Sequence, residues 1–423
     1  MSVSRRSLTK VNIVLCSEND ITLLQNISKR AILSPMGVVK KISFPYLVKS
    51  YNPNLSPEQR LVVFFGTSFV GSSSLPGWDQ ALFVERTNQM LDYIRSNFKG
   101  RQLLYQPHPN ETTEIELFNL DGFTVGDKVI AELFLYDKAE QIEFTFSACS
   151  GASISAYAMG LNAAVFLDTL TGAITKWDLL AYRSYFAGLP ESFFIKSFAQ
   201  SVPEQSARLA LFDDATATIR QAFTGAPMVW LLASEPGVLI KAITLARILR
   251  QVNPGQKISL IKMNNRRWEI ISTSSGLLSV FDRVVELTHP SVRFSARLPM
   301  VLAAFRSAQA IKKLPIGPND AIVSFPYTLF EENCLQSYFP TAKKILMLEN
   351  RWYNFTYEDG SKDFEIKKFN RSKGVLFFNY FLEPLLGLHR TIFLDYPGCN
   401  VLNKLRYVEP LEKVYDTTLI LMP

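Results

Sequence analysis

The sequence predicts an α/β fold in which buried strands alternate with helices to form parallel, doubly wound sheets. Two continuous apolar runs, Leu61–Gly66 and Met228–Ala233, have the length and composition of strands that are buried on both faces. Each run is followed by small or turn-forming residues and then by apolar residues at helical spacing. Because 423 residues suggest two or three domains, each run is interpreted as the opening strand of a Rossmann-like domain.

The first domain is predicted to continue from its opening strand through a helix over Gln80–Phe98. Further strands are predicted at Gln102–Gln106, Val129–Leu135, Glu143–Ser147 and Asn162–Leu167, with a helix of small residues from Gly151 before the last of them. This alternation of the two element types favours a parallel sheet. Residues 1–55 contain one other strand candidate, Val11–Cys16.

The second domain is predicted to follow a boundary at Gly225-Ala226-Pro227, which divides the chain into residues 1–225 and 226–423. A helix is predicted over Val238–Gln251, and further strands at Lys257–Met263, Ala321–Phe325 and Lys344–Leu348. Periodicity alone does not choose among two-domain α/β folds, because periplasmic-binding-like and kinase-like pairs give the same alternation.

The composition is that of an ordinary globular protein, with 48% hydrophobic and 20% charged residues, and this excludes general disorder. The net charge of +7 is too diffuse to indicate nucleic acid, and an anionic membrane surface fits it equally well. The four cysteines are far apart and form no CxxC pair, which argues against a structural zinc site.

A reduced, cytoplasmic chain is the simplest interpretation of this cysteine usage. The first residues lack the apolar segment of a signal peptide. The uncharged stretch from Phe144 to Leu167 is long enough for a membrane span, but its serines interrupt the apolar face. We therefore expect no membrane-spanning helix.

His108 is the first candidate for chemistry, because it directly follows a predicted strand within Tyr105-Gln106-Pro107-His108-Pro109-Asn110. Ligands bind at the carboxyl ends of strands in open α/β sheets. The flanking prolines restrict the backbone and would hold the imidazole at a defined angle. An imidazole in this place suits a phosphate, as a cation or as an acid, whereas the alternative is a loop histidine without a catalytic role.

Small hydroxyl residues form a second candidate at Ser147–Ser153, where a predicted strand passes into a helix. A phosphate can bind favourably at such a turn, because serine hydroxyls, free backbone N–H groups and the helix dipole all stabilise its negative charge. Ordinary N-capping by serine explains the same residues without any ligand. Together with His108 in the same domain, the segment is interpreted as a site for a donor phosphate.

The third candidate is Tyr357-Glu358-Asp359-Gly360-Ser361, which follows the predicted strand Lys344–Leu348. A carboxylate at a cleft can remove the proton from an attacking hydroxyl group. An Asp-Gly turn on the protein surface is the alternative. The sequence does not choose between Glu358 and Asp359 as the base.

Taken together, the His-Pro element, the serine turn and the acidic-acidic-Gly element resemble the three signatures of bacterial sialyltransferases and polysialyltransferases. The resemblance covers about residues 60–170 and 228–365, and it includes Glu132 between the first two motifs. In that family the acidic motif precedes His-Pro, whereas here it follows His108 by about 250 positions. The order of the motifs along this chain is therefore permuted, with the donor domain first.

This resemblance implies a GT-B fold, with two facing Rossmann-like domains and a central cleft, and a CMP-sugar as the donor. The acceptor-side domain would carry Asp359 or Glu358 as the catalytic base, and the donor domain would carry His108 as the catalytic group on the donor phosphate. The residues implied to bind the donor phosphate are His108, Ser147, Ser150, Gly151 and Ser153. Those implied to contact the donor nucleotide are Gly66, Pro107, Pro109 and Glu132.

The implied reaction is an inverting single displacement that moves sialic acid, or a related nonulosonic acid, to a glycan hydroxyl in capsule or lipooligosaccharide synthesis. No cofactor and no metal are expected, because a monophosphate leaving group can be handled by hydrogen-bond donors. The alternatives are a CMP-Kdo transferase or polyol-phosphate transferase of GT-B fold, and a non-catalytic glycan- or nucleotide-binding protein.

The expected partners are the CMP-activated donor and a glycan acceptor, either lipid-linked or anionic, with no nucleic acid. Seven basic residues and no acidic one lie between Pro236 and Trp268. They indicate a solvated helix face, or else contact with an anionic glycan or with the inner face of the cytoplasmic membrane. Trp268, Trp352 and Tyr353 are candidates for stacking on sugar rings or for ordinary packing.

Overall fold

The computed structural model describes residues 37–44, 51–69, 77–203, 212–233, 236–264, 275–288, 297–325, 330–350, 386, 388 and 415–422. The chain divides into two compact units, each built around its own sheet. The five-stranded unit comprises Ser43–Ala215 with Met422–Pro423, and the seven-stranded unit comprises Met1–Ile42 with Thr216–Leu421.

The strands of the five-stranded unit are β2 (Leu61–Phe65), β3 (Gln102–Gln106), β4 (Phe123–Val125), β5 (Ile142–Ser147) and β6 (Ala163–Val165). They form a parallel sheet with the order β4-β3-β2-β5-β6. Its helices are α1 (Gln80–Asn97), α2 (Ala131–Lys138), α3 (Gly151–Ala158) and α4 (Lys176–Tyr185), with 3-10 turns at Pro57–Gln59, Glu114–Leu117, Leu167–Leu170 and Glu191–Phe193. Helices therefore alternate with parallel strands, as in a Rossmann-like fold.

Aromatic side chains fill the core of this unit on the faces of its sheet. Every residue of β2 is buried, which explains its unbroken apolar sequence. Phe146 of β5 packs edge to face against Tyr93 of α1 and beside Phe166. Because the central strands are fixed by this packing, the loops at their carboxyl ends start from rigid positions.

The strands of the seven-stranded unit are β1 (Val38–Ser43), β7 (Met228–Ala233), β8 (Lys257–Asn264), β9 (Arg283–Thr288), β10 (Ala321–Ser324), β11 (Lys343–Glu349) and β12 (Thr417–Met422). Their order in the sheet is β1-β12-β11-β10-β7-β8-β9, and the neighbours from β12 to β9 pair in parallel. The helices are α5 (Phe212–Phe223), α6 (Pro236–Val252), α7 (Arg297–Lys312) and α8 (Phe330–Tyr338), with a 3-10 segment at Ser275–Val280.

The core of this second unit surrounds Trp230 of β7, which is fully buried. The indole N–H of Trp230 donates to Asp320 over 3.0 Å, and the same carboxylate accepts the backbone N–H of Gly317 over 2.8 Å. These bonds satisfy a buried polar atom and fix the loop before β10. The predicted α/β class with two Rossmann-like units is thus confirmed.

One predicted strand is wrong: within Val129–Leu135 the residues from Ala131 onward form helix α2 instead. This segment has strong helix formers, with Glu132 in its first turn and Lys138 in its last, and both charges favour a helix. Strand β1 joins the seven-stranded sheet, although it precedes the predicted boundary at residue 225. The strand candidate Val11–Cys16 lies outside the described residues.

Candidate active site

The candidate site lies where three neighbouring strands of the five-stranded sheet end. In the register of the sheet, Phe65 at the end of β2 is paired with Gln106 of β3 on one side and with Ser147 of β5 on the other. The ends of β3 and β5 are therefore level, and two strand spacings place them about 10 Å apart. The His-Pro element follows one of these ends and the serine turn follows the other.

The strand order places a topological switch point between β2 and β5. The chain leaves β2 towards β3 on one side of the sheet, whereas it leaves β5 towards β6 on the other side. At such a point the two loops diverge and open a crevice, which is where ligands bind in open α/β sheets. The residues at this crevice are Gly66 and its successors after β2, and Ser147–Gly151 after β5.

His108 lies in a tight turn after β3 and is half-buried. The backbone N–H of Asn110 donates to the Nδ1 atom of His108 over 3.1 Å. The backbone N–H of Glu111 donates to the carbonyl oxygen of His108 over 2.9 Å and closes the turn. Because Nδ1 accepts a hydrogen bond, the neutral imidazole carries its proton on Nε2. Pro107 is buried and Pro109 is exposed.

Two buried carboxyl groups beneath this turn were missed by the sequence reasoning. Glu111 is 1% exposed, and the hydroxyl of Tyr105 lies 3.2 Å from each of its carboxyl oxygens. Burial raises the pKa of Glu111 to about 7. Glu114 is fully buried and accepts the backbone N–H groups of Phe69 and Thr112 over 3.1 Å and 2.6 Å.

Gly66 has a reason to be glycine that is independent of any nucleotide. A β-carbon at this position would lie 2.0 Å from Oε1 of Glu111 and 2.6 Å from the hydroxyl of Tyr105. Both separations are far below van der Waals contact, so only glycine leaves room for the carboxyl group. The assignment of Gly66 to donor nucleotide binding, like those of Pro107 and Pro109, stays a prediction.

The serine turn is held together by its own hydroxyl groups. The Oγ atoms of Ser147 and Ser153 lie 2.8 Å apart, and Ser147 also accepts the backbone N–H of Ser150 over 3.0 Å. Ser147 and Ser153 are both fully buried, so these two hydroxyls are engaged inside the protein. Their assignment to a donor phosphate stays a prediction, and the internal bonds give them a structural role in shaping the turn.

Ser150 is the N-cap of α3, which begins at Gly151. Its Oγ accepts the backbone N–H of Ala152 over 3.2 Å. Ser150 and Gly151 are half-buried, unlike Ser147 and Ser153, and they stand at the end of a helix that favours negative charge. Of the predicted serines, Ser150 is therefore the one that is both accessible and placed at the helix N-terminus.

Glu132 lies in the first turn of α2 and accepts a hydrogen bond from the hydroxyl of Ser155 of α3 over 3.0 Å. This bond links the two helices that flank β5 in the sequence. The half-buried carboxylate is thus engaged with a neighbouring helix. Its predicted contact with the donor nucleotide stays a prediction.

Cys149 stands in the middle of the serine turn and has the chemical type of a nucleophile. The residue is buried, and this burial raises the pKa of its thiol to about 12, even though hydrogen bonds with Tyr182 and Thr67 lower it. At neutral pH the group is a thiol, which is a poor nucleophile. The structure therefore gives Cys149 a packing role.

The predicted base lies outside the described residues, and so does the whole segment Tyr357–Ser361 with Glu358 and Asp359. The same holds for the aromatic candidates Trp268, Trp352 and Tyr353. Their roles stay predictions.

In the described part of the basic segment between Pro236 and Trp268, Lys241, Arg250 and Lys262 form ion pairs. Lys241 is buried and pairs with Glu349 at the end of β11. Arg250 pairs with Asp282 over 3.0 Å, and Lys262 pairs with Glu286 over 2.8 Å. Lys241 is therefore not part of a solvated face, and the surface charge of this segment is lower than its sequence indicates.

In the described ranges, no helix has both the length and the apolar character needed to cross a membrane. Among the same residues, no three His, Cys, Asp or Glu side chains are grouped as metal ligands would be. The predicted independence from metal stays a prediction.

No protein-family model matches this chain, and neither does any curated protein. Among solved structures, the crystal structure of Anabaena HepE in complex with UDP and glucose is similar over 68% of this chain and 80% of that chain. The sequence identity is 11% and the TM-score is 0.20. A likeness at this level carries no weight for function, which depends on the site itself.

Proposed function

We propose that the chain is a glycosyltransferase that uses a CMP-sugar donor and moves sialic acid, or a related nonulosonic acid, to a glycan hydroxyl. One observation carries the proposal: His108 and Ser150 follow the two strands that flank β2, and Ser150 lies at the switch point between β2 and β5. The two motifs are distant in sequence, but the strands before them end at the same position along the sheet, since Gln106 and Ser147 both pair with Phe65.

The geometry suits a phosphate monoester as the leaving group. In a displacement at the anomeric carbon, negative charge grows on the phosphate of CMP while the bond to the sugar breaks. The Nε2–H of His108, the hydroxyl of Ser150 and the N-terminus of α3 are donors that stabilise such charge. These donors handle a monophosphate without a bridging metal ion.

The acceptor hydroxyl needs a base, and we propose Glu358 or Asp359 for this role. Attack from the face opposite the phosphate then inverts the anomeric carbon. The proposal takes this carboxylate from the acidic-acidic-Gly motif at Glu358-Asp359-Gly360. The chain order of donor and acceptor domains does not matter for the geometry of catalysis.

His108→Ala tests the proposal most directly. We expect the variant to fold and to retain at least part of its affinity for CMP by calorimetry, while the release of CMP from the donor slows by at least about two orders of magnitude. Ser150→Ala should also slow release. Glu143→Gln is the matched control, because Glu143 pairs with Arg101 near the amino-terminal end of β5, away from the strand ends that His108 and Ser150 follow. Near-normal turnover in His108→Ala would refute the role of His108.

The donor is identified by the sugar nucleotide that the wild-type protein consumes. CMP release from CMP-sialic acid supports the proposal. Release from CMP-Kdo alone, or transfer of a polyol phosphate, would favour the alternative transferases. Binding of CMP without turnover of any donor, measured with a panel of glycan acceptors, would favour a non-catalytic nucleotide-binding protein.

A further inference from the structure

We infer that Glu111 is a positioning residue for His108: its buried carboxyl group anchors the turn that directs the Asn110 amide to Nδ1 and so keeps the imidazole proton on Nε2. The inference deepens the proposed function and rests on it for its catalytic meaning. The geometric part concerns only the five-stranded unit and is testable by itself.

The anchor is formed by groups from three segments. The Tyr105 hydroxyl of β3 contacts both carboxyl oxygens of Glu111 at 3.2 Å. Gly66, directly after β2, leaves the space that the carboxyl group occupies. The Nζ atom of Lys128, in the segment before α2, donates to the backbone carbonyl of Glu111. The side chain of Glu111 is therefore held by β3, and its backbone carbonyl is held by the segment before α2.

The same turn is bound to the segment after β2. The hydroxyl of Ser68 donates to the carbonyl oxygen of Asn110 over 3.1 Å and lies 3.3 Å from Glu114. Glu114 also accepts the backbone N–H of Phe69. Since the Glu111 backbone N–H closes the turn on the His108 carbonyl, a displacement of Glu111 moves the atoms that orient the imidazole.

The protonation state of the anchor matters because a phosphate would bind nearby. Glu111 faces the hydroxyl of Tyr105, the carboxylate of Glu114 and the ammonium group of Lys128. Burial raises its pKa to about 7, so the carboxyl group keeps its proton to a higher pH than an ordinary glutamate does. Protonation of Glu111 lowers the cost of burying two carboxyl groups close together. Glutamine has nearly the same shape as the neutral acid and should replace it.

The test uses the full-length chain labelled with ¹⁵N-histidine. The protein contains only three histidines, so the signals of His108 are assigned by their loss in His108→Ala. The ¹⁵N shifts of Nδ1 and Nε2 report which nitrogen carries the proton. In the wild type, Glu111→Gln and the control Glu143→Gln, we expect His108 to be held in the Nε2–H form. In Glu111→Ala we expect a mixture of tautomers.

Turnover of the donor provides the second readout. Glu111→Ala should lower kcat about tenfold or more, on the scale of a misplaced catalytic group, while Glu111→Gln should restore most of the loss. If Glu111→Ala does not fold, Glu111→Asp replaces it, because its carboxyl group is one methylene too short for the anchor.

A folded Glu111→Ala or Glu111→Asp variant in which His108 keeps a pure Nε2–H form would overturn the inference. If the tautomer of His108 changes in these variants but the wild type turns over no donor, the positioning role of Glu111 is supported and the proposed function is refuted. The two failures are thus distinguishable.

Discussion

At the scale of single residues, each unit buries a carboxyl group whose proton is retained near neutral pH. Glu332 of α8 is 2% exposed and accepts a hydrogen bond from the hydroxyl of Tyr415. Burial raises its pKa to about 7, although the hydrogen bonds from Tyr415 and Ser324 act in the opposite direction. Burial of a charged carboxylate is costly, so burial favours the neutral acid at this position.

This protonation predicts how stability depends on pH. The pKa of Glu332 in the folded protein lies above its ordinary value of 4.5. The contribution of protonated Glu332 to the free energy of unfolding is therefore fully present below pH 4.5, and it is lost as the pH rises through about 7. Replacing Glu332 by Gln should remove this contribution, which at most is on the order of 3 kcal/mol. Urea unfolding of both proteins between pH 5 and pH 8, in steps of about one unit, measures it.

Glu143→Gln is the control for that series, because Glu143 is ion-paired with Arg101 and is more exposed than Glu332. The stability advantage of Glu332→Gln over the wild type should grow with rising pH, and the control should show no such growth. If the difference between Glu332→Gln and the wild type is constant across the range, Glu332 does not titrate in the folded protein.

At the scale of elements, the junction after β2 depends on one glycine. Gly66→Ala would place a methyl group on the Glu111 carboxyl and the Tyr105 hydroxyl, and we expect a loss of about 1–3 kcal/mol in stability, as for other overpacked sites. Thermal or urea unfolding measures the loss. Gly276→Ala is the matched control, because a β-carbon there meets nothing within 4 Å.

Truncation of Glu111, whose carboxyl group would collide with the new methyl group, tests whether this steric conflict explains the requirement for glycine at position 66. In the double variant Gly66→Ala with Glu111→Ala, the methyl group enters space that the carboxyl group vacates. The two losses should then be less than additive by at least about 0.5 kcal/mol. Strict additivity would mean that Gly66→Ala acts through the backbone and not through Glu111.

Elements whose sequences form continuous apolar runs were predicted well, whereas those that depend on distant partners were not. The predicted strands at β2, β3 and β7 match the structure closely. Strands β1, β4 and β9 were not predicted, because polar or charged residues interrupt their short apolar sequences. Strand β12 was also not predicted although Leu419–Leu421 are apolar, and its partner β11 is distant in sequence. Val129–Leu135 was misread because its apolar residues fit both a short strand and a helix, and propensity within the helix decided the outcome.

At the scale of the whole molecule, the two sheets share one pattern of connections. The order β4-β3-β2-β5-β6 in the first unit has the same form as β9-β8-β7-β10-β11 in the second. Each sheet therefore has a switch point at which a ligand could bind, between β2 and β5 or between β7 and β10. The sequence could place His108 and Ser150 at strand ends, because those motifs directly follow apolar runs. It could not reveal Glu111, whose neighbour Gly66 is distant in sequence.

Which of the two switch points binds the nucleotide is decided by hydrogen exchange on the whole chain with and without CMP. We expect CMP to slow amide hydrogen exchange at Gly66–Phe69, at Gln106–Glu111 and at Ser150–Ser153. These backbone amides border the proposed phosphate-binding site. At a CMP concentration of about 100 times its Kd, binding stabilises the liganded state by about 2.7 kcal/mol, which is ample for detection.

Helix α6 follows β7 and is the internal reference for this measurement, since it begins at the corresponding position of the second sheet. Its exchange should stay unchanged if the donor binds only to the five-stranded unit. Protection at the start of α6 and at Ser324–Phe325, without protection around His108, would move the nucleotide to the seven-stranded unit. His108 and Ser150 would then be left as structural residues, and the acceptor would be sought on the five-stranded unit.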